Sequence, residues 1–296
     1  MLRTIVLLLA LMASPVRAQT VSVDTFTGSV DLPPKPESIA VFDLAAFDTL
    51  TALGVAVDGV VRPVYLQYLE AAAEGTVPVG SLFEPDFEAV FALDPDLIIA
   101  GGRSSGQVAD LTRIAPTIDM TIWENTVGDG LARLRSYGVL FGKQAEATQL
   151  ASTFESRLAE AREAVARQGD ALIVMTNGPK VSAFGTGGRF GWLHDALDLP
   201  EAVESVGHNT HGEAISFEFI REVDPDILLV IDRLAAVGQD GDSARATLDN
   251  ALVHETKAWK TGRVIYLSPA PIYISSGGIQ SMTLTLDEIL AGMKDR

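Results

Sequence analysis

Two arginines lie at equivalent places in the two halves of this 296-residue chain. Arg103 follows Gly101-Gly102 and Arg233 follows Ile231-Asp232, each just past an aliphatic run that predicts a buried strand. Open α/β sheets bind ligands at the carboxyl ends of their strands. A guanidinium group stays charged and donates hydrogen bonds in a fixed fork, so the pair predicts an anion site. The alternative role for each arginine is an ordinary salt bridge.

Arg189 is a third candidate, because it sits in a glycine-rich turn that precedes a predicted helix. Glycine-rich backbone allows close approach by a ligand. The turn superficially suggests a dinucleotide-binding loop, but the third glycine comes one position late for that motif.

Arg103 and Arg233 belong to an internal repeat with a constant offset of 130 residues. Segments 86–99 and 216–229 share Phe-Glu at their second and third positions and Asp-Pro-Asp at their ninth to eleventh. Proline disfavours helix in the residue before it, so each copy predicts a short amphipathic helix ending at Asp-Pro. The aliphatic run that follows predicts a parallel strand buried on both faces.

A long amphipathic helix is predicted between the copies, because apolar residues recur at steps of three or four from Leu150 to Val165. The fold class expected is α/β, with two Rossmann-like lobes that have parallel-rich central sheets and are joined by one long backbone helix. The expected divisions are a signal peptide at 1–18, an N-terminal lobe at 19–142, the connecting helix at 143–168 and a C-terminal lobe at 169–296. Further predicted strands are 39–42, 59–61, 171–175, 181–184 and 264–267, and further predicted helices are 45–53, 192–197 and 281–293.

The amino terminus reads as a secretory signal peptide, with Arg3 before an apolar run and Val16-Arg17-Ala18 as the cleavage site. The chain contains no cysteine, which excludes a disulfide framework, a thiolate metal site and a lipid anchor on cysteine. The expected location is therefore the periplasm, without lipid attachment. A formal net charge of −17 argues against nucleic acid as a partner.

The ordered motifs of the second half resemble the periplasmic binding proteins for ferric siderophores, haem and vitamin B12. Within that class they are most similar to the catecholate (enterobactin-type) siderophore binders. The resemblance implies a monomeric, non-enzymatic component of an ABC importer, with no intrinsic cofactor and with Fe(III) bound as a siderophore complex. The matching segments are Gly188-Arg189-Phe190-Gly191, His194-Asp195, Thr210-His211-Gly212, Phe217-Glu218, Asp224-Pro225-Asp226, Val230-Ile231-Asp232-Arg233 and Tyr273 ahead of Ser276-Gly277-Gly278.

The same resemblance implies that Arg103, Arg189 and Arg233 converge in a cleft between the lobes. A ferric tris-catecholate carries about three negative charges, which guanidinium groups neutralise while donating to the catecholate oxygens. The resemblance also pairs His211 with Tyr273 as direct iron ligands for a siderophore that supplies only four donor atoms. Ferric iron accepts imidazole nitrogen and phenolate oxygen. His208, three residues before His211, is the alternative ligand.

Glu88 and Glu218 are the repeat-related acids, and the resemblance implies that they dock onto a two-subunit inner-membrane permease. Glu84 and Glu213 lie nearby in sequence and are the alternatives, and an ordinary solvated helix face is the simpler role for any one of them.

Other classes of function fit the sequence less well. No G-x-S-x-G motif supports a serine hydrolase. A zinc or manganese site is not favoured, because the chain has only four histidines and two of them, His194 and His254, are far apart and without ligand spacing. A protein of the same fold that binds haem, a hydroxamate siderophore or a cobalamin remains the nearer alternative, and an exported α/β enzyme the more distant one.

Overall fold

The computed structural model describes residues 20–204, 206 and 211–294. The predicted signal peptide lies outside this range. None of the helices in the described part of the chain combines the length and apolar character required to span a bilayer.

The first half contains a hairpin and a five-stranded sheet whose strands all run parallel, in the order β5-β4-β3-β6-β7. Its central strands β3 and β6 are fully buried, as the aliphatic runs predict. The strands are β1 (Val21–Thr25) and β2 (Gly28–Leu32) of the hairpin, and β3 (Ile39–Val41), β4 (Gly59–Val60), β5 (Val77–Pro78), β6 (Leu97–Ala100) and β7 (Thr117–Asp119) of the sheet. The helices are α1 (Leu44–Ala52), α2 (Glu70–Ala73), α3 (Phe87–Leu93), α4 (Val108–Leu111) and α5 (Thr126–Phe141), with short 3-10 helices at Gln67–Leu69 and Gly102–Gln107.

A 22-residue helix, α6 (Gln144–Val165), follows and lies within the predicted connecting segment. Phe154, Leu158, Ala161 and Val165 are buried on one face, as their spacing predicts. Gly169, at φ 101°, then allows the turn into the second half.

The second half contains a mixed five-stranded sheet in the order β10-β9-β8-β11-β12. β8, β11 and β12 run parallel to one another. β9 pairs with β8 in the antiparallel direction, and β10 pairs with β9 in the same way. The strands are β8 (Ala171–Asn177), β9 (Lys180–Phe184), β10 (Glu213–Ile215), β11 (Ile227–Asp232) and β12 (Val264–Tyr266). The helices are α7 (Trp192–Leu197), α8 (Phe217–Val223), α9 (Arg233–Ala236), α10 (Ala244–Leu248), α11 (Ala251–His254), α12 (Lys257–Lys260), α13 (Pro269–Ile274) and α14 (Ile279–Met293).

The two repeat copies adopt the same local structure. Asp86 caps α3 by accepting a hydrogen bond from the backbone of Ala89, and Ser216 caps α8 in the same way through Phe219. Each helix ends at an aspartate in the left-handed region, Asp94 at φ 50° and Asp224 at φ 50°. The proline therefore follows a left-handed cap rather than the extended residue that its steric preference favours. Each helix then leads into a buried parallel strand, β6 or β11.

The last helix returns to the first half of the chain. α14 packs against α6 and α1, and its first residues bind the buried carboxylate of Asp48 on α1. The Asp48 carboxylate accepts hydrogen bonds from the backbone N–H groups of Gln280 and Ser281 and from the hydroxyl of Tyr68. The two sheets are therefore joined at the amino end of α14 as well as through α6.

Candidate functional site

A cavity of about 560 Å³ opens between the two halves of the molecule. The first half lines it with residues that follow strands β3, β6 and β7, at the edge where parallel sheets place ligands. The second half lines it with the loop that precedes α7 and with the end of α13. Arg103 and Trp123 come from the first half, and Arg189, Trp192 and Tyr273 from the second.

The backbone after β6 positions Arg103. Gly102 adopts a φ of +54°, a backbone conformation that residues with a side chain rarely adopt. Its N–H donates a hydrogen bond to the hydroxyl of Thr121. Ser104 closes the turn by accepting from the N–H of Gly101. The guanidinium of Arg103 then reaches across the cavity and donates from Nη1 to the carbonyl of Ile274 at 3.1 Å.

Arg103 and Arg189 bind the same carbonyl group. Nη2 of Arg103 donates to the Tyr273 carbonyl oxygen at 2.9 Å, and Nη2 of Arg189 donates to it at 2.8 Å. The last carbonyls of a helix have no partner within the helix, and cations are favourable there. The end of α13 thus holds two guanidinium groups from opposite halves of the chain.

The ring of Tyr273 lies close to both guanidinium groups. The guanidinium carbon of Arg189 is 4.3 Å from the ring centroid, and that of Arg103 is 5.5 Å away. Both distances are within the range of cation–π attraction. Tyr273 is half-buried and lines the cavity, and its ring also lies 6.4 Å from that of Phe190.

The electrostatics of this group favour an anion. Burial, together with the positive charges of Arg103 and Arg233, lowers the pKa of Arg189 to about 10. Like charges held together in a partly buried site relieve their repulsion when an anion binds. The hydrogen bonds among the described residues use two of the five N–H groups of Arg103 and one of those of Arg189, which leaves donors for a ligand.

Arg233 lies at the carboxyl end of β11, as the repeat predicts, but outside the lining of this cavity. Its Nη1 is 3.4 Å from Oδ1 of Asn177. The charge of Arg233 acts on Arg189, so the three predicted arginines share one electrostatic field although only two line the cavity.

Of the predicted iron ligands that the structure describes, only Tyr273 is among the residues that line the cavity. His211 is exposed and lies outside the cavity lining, directly after a segment that is not described. His208 belongs to that segment and lies outside the described residues. Among the residues that the structure covers, no three His, Asp or Glu side chains form a cluster able to hold a metal ion.

Several cavity residues were not predicted from the sequence. Asp43 caps α1 beside Gly101 and Gly102, and burial raises the pKa of its carboxyl group. Trp123 lies shortly after β7 and is 61% exposed, whereas Trp192 begins α7 and is buried. The rule that identified Arg103 also applies to Asp43 and Trp123, which follow parallel strands of the same sheet. Glu124 and Asp195 add exposed acids to the lining, so the cavity is not uniformly positive.

Glu88 and Glu218 occupy the first turns of α3 and α8 and are exposed. Hydrogen bonding by its own backbone N–H and by the Ser216 hydroxyl lowers the pKa of Glu218. The nearby Glu84 lies in a turn before α3 and Glu213 opens β10, both exposed, so only the first pair occupies equivalent helical positions.

The chain is similar to several siderophore-binding proteins over most of its length. The petrobactin-binding protein YclQ of Bacillus subtilis is 34% identical over 89% of this chain and 84% of its own. The ferric-anguibactin-binding protein FatB of Vibrio anguillarum is 30% identical over 87% of this chain and 83% of its own.

Solved structures show the same architecture. The crystal structure of YclQ superposes with a TM-score of 0.87 at 31% identity, covering 94% of this chain and 100% of that one. The catecholate-siderophore binding protein VctP of Vibrio cholerae superposes with a TM-score of 0.83 at 29% identity, covering 93% of this chain and 99% of that one. These matches confirm the predicted two-lobed α/β fold with parallel-rich sheets. Residues 39–271 match the family described as periplasmic binding protein, and the chain belongs to that family.

Proposed function

We propose that this protein captures a ferric catecholate siderophore in the cavity between its lobes and delivers it to an ABC importer. The observation that carries the proposal is the pair of guanidinium groups, Arg103 and Arg189, held on the Tyr273 carbonyl at the cavity. The names of YclQ, FatB and VctP support a ferric siderophore as the ligand class. The proposed role is binding alone, with no bond made or broken.

Charge complementarity is the basis of recognition in this proposal. The protein as a whole carries a net charge of −17 and would repel an anionic complex. Arg103 and Arg189 provide a local positive field, and Arg233 contributes to it from just outside the cavity. Guanidinium groups donate charge-assisted hydrogen bonds to catecholate oxygens, so the field and the geometry favour the same ligand.

Tyr273 is the proposed protein ligand for iron when the siderophore leaves two coordination positions open. Its ring lines the cavity beside both arginines. The second ligand in this proposal is His211, with His208 as the alternative.

Delivery is proposed to use Glu88 and Glu218 as contacts to the two subunits of the permease. Two acids at equivalent places on two lobes suit a partner with two-fold symmetry. The exposed rings of Phe87 and Phe91 flank Glu88 and would add apolar contact on the N-terminal lobe. We further propose that the protein is exported, is not lipidated and acts as a monomer. Its proposed lobes span residues 19–142 and 169–296, and the connecting helix spans residues 143–168.

Titration with a panel of iron complexes tests the proposed ligand class. Two of the three tryptophans, Trp123 and Trp192, line the cavity, so a bound ferric complex should quench intrinsic fluorescence. We expect tight quenching by ferric bis- or tris-catecholates and weak quenching by a ferric hydroxamate, haem or cobalamin. Tight binding restricted to haem, cobalamin or a neutral hydroxamate complex would refute the catecholate assignment. The variant Trp259→Phe is the control, because Trp259 stacks on His254 outside this cavity.

A further inference from the structure

Two hydrogen-bond donors of the cavity have no acceptor in the described part of the protein. These are Nε1 of Trp192 and the hydroxyl of Ser276, and both residues line the cavity between the lobes. Trp192 is only 7% exposed. Burying a donor without a partner costs free energy, and most buried donors are therefore paired.

The positions of these donors associate them with the arginine and tyrosine group. Trp192 follows Arg189 by three residues at the start of α7, and Ser276 follows Tyr273 by three residues after the end of α13. Other buried polar atoms that lack a partner, such as the hydroxyl of Thr176, belong to residues outside this cavity. The unpaired donors at the cavity thus lie on the two segments that also carry Arg189 and Tyr273.

The chemistry of these donors differs from that of the arginines. An indole N–H only donates and carries no charge, and a serine hydroxyl is also neutral. Anionic catecholate oxygens are served by Arg103 and Arg189, whereas neutral donors suit a neutral oxygen acceptor such as an amide carbonyl. Both donor atoms are enclosed in the unliganded protein, so a ligand reaches them only when the side chains of Trp192 and Ser276 turn toward the cavity.

We propose that Trp192 and Ser276 form a neutral subsite that donates hydrogen bonds to a carbonyl oxygen in the scaffold joining the catecholates. The proposal rests on the proposed function, since it names a part of the same ligand. It makes the linker of the siderophore, and not only its iron-chelating groups, a determinant of specificity.

A pair of ferric probes that differ only in the linker tests this subsite. One is the ferric complex of two catechols joined through amide carbonyls, and the other has a hydrocarbon linker of equal length. Calorimetric titration should show that Trp192→Phe and Ser276→Ala each weaken the amide-linked probe about threefold to tenfold, as expected for one lost hydrogen bond. Affinity for the hydrocarbon-linked probe should be unchanged. Thr176→Val and Trp259→Phe are the controls and should alter neither affinity.

Nuclear magnetic resonance of the indole N–H groups gives a second readout in the wild-type protein. With Ga(III) in place of Fe(III), the Trp192 resonance should move downfield on binding the amide-linked complex, while that of Trp259 stays in place. The three resonances are assigned from the Trp123→Phe, Trp192→Phe and Trp259→Phe variants, and thermal unfolding shows whether each variant is folded.

The outcomes separate the subsite from the proposed function. If the wild type binds both probes and the variants weaken both equally, or neither, the subsite is refuted and the proposed function stands. An unmoved Trp192 resonance on binding the amide-linked complex also refutes it. If the wild type binds neither ferric probe, the proposed function fails, and the subsite fails with it.

Discussion

At the scale of single residues, the site depends on how two like charges are held at one point. Arg103 and Arg189 come from opposite halves of the chain, yet both donate to the Tyr273 carbonyl. The carbonyl at the end of α13 and the tyrosine ring offset part of their repulsion. Burial and repulsion nevertheless lower the pKa of Arg189 to about 10, which shows that its positive charge is unfavourable in the unliganded site. The hydrogen bonds to Tyr273 position the two guanidinium groups before a ligand binds, and a bound anion would stabilise their charges.

Loss of either guanidinium group should therefore strongly weaken the binding of an anionic ligand. We expect Arg103→Gln and Arg189→Gln each to reduce affinity for a ferric tris-catecholate by about 10-fold to 100-fold, since hydrogen bonds to charged groups contribute about 1.5–3 kcal/mol. Arg189→Lys should lose less than Arg189→Gln, because it keeps the charge without the fork. Calorimetric titration at fixed salt measures this, with the exposed Arg113→Gln as control. Unchanged affinity in both glutamine variants would exclude the proposed role.

At the scale of elements, the repeat gives both halves the same helix end. Asp94 and Asp224 adopt left-handed backbone, where aspartate is tolerated better than most residues and glycine best of all. Asp224 has a further role, because its Oδ1 accepts from the backbone N–H of Lys257 at 2.7 Å. The two caps are thus equal in backbone geometry and unequal in their side-chain contacts.

Substitution of these caps should separate the backbone effect from the side-chain effect. We expect Asp94→Ala to lower the free energy of unfolding by about 1 kcal/mol and Asp94→Gly to leave it nearly unchanged, because glycine adopts this backbone without strain. Asp224→Ala should cost more than Asp94→Ala, since a hydrogen bond is lost as well. Urea denaturation measures all three variants. Equal losses for alanine and glycine at position 94 would contradict the backbone explanation.

The elements that the sequence predicts well are those with a local pattern. The repeat, the aliphatic strands and α6 follow from hydrophobic periodicity, and α7 has the predicted bounds of Trp192–Leu197. Helix α5 and the short helix α13 were not predicted, although α13 carries Tyr273. The shared carbonyl of Tyr273 depends on the packing of segments about 170 and 84 residues apart, which no local pattern encodes. The arginines could therefore be predicted from the sequence, but the carbonyl group that positions Arg103 and Arg189 could not.

A buried carboxylate joins α1 to α14 and should make stability depend on pH. Burial raises the pKa of Asp48 to about 6 from 3.8. The folded protein then holds a proton that the unfolded chain releases between these values, so this group's contribution to stability falls as pH rises through that range. Hydrogen bonds from Tyr68, Gln280 and Ser281 limit this effect without removing it.

The variant Asp48→Asn removes this titration. The difference between the free energies of unfolding of the variant and the wild type should shift in favour of the variant by up to about 3 kcal/mol as the pH rises from 4 to 7. This shift corresponds to the rise of about two units in the pKa of Asp48. A constant offset is expected as well, because asparagine has one acceptor oxygen where the carboxylate has two. Urea denaturation across this pH range measures the difference, and the exposed Asp242→Asn controls for loss of one charge. Parallel pH curves for wild type and Asp48→Asn would show that Asp48 does not titrate as inferred.

At the scale of the whole molecule, the two halves present similar but unequal surfaces to a partner. Glu88 and Glu218 lie at the same position of equivalent helices, α3 and α8. Three residues further along each helix, the N-terminal half exposes Phe91 at 74% whereas the C-terminal half has Arg221. In the proposed complex, a two-subunit permease would meet an acid on each lobe and an apolar contact on one, and this difference would give the complex a preferred orientation.

Reversing the charge of either proposed docking acid should block delivery of the siderophore without affecting its capture. We expect Glu88→Arg and Glu218→Arg each to reduce uptake of radioactive iron at least tenfold in cells that depend on this protein, because like charges at an interface repel. Affinity for the ferric siderophore should stay unchanged, since neither residue lines the cavity. Glu163→Arg on the exposed face of α6 controls for the change in net charge, and Glu84→Arg tests the neighbouring acid. Normal iron uptake in both the Glu88→Arg and the Glu218→Arg variant would exclude these contacts. If only Glu84→Arg reduces uptake, the N-terminal contact is Glu84 and not Glu88.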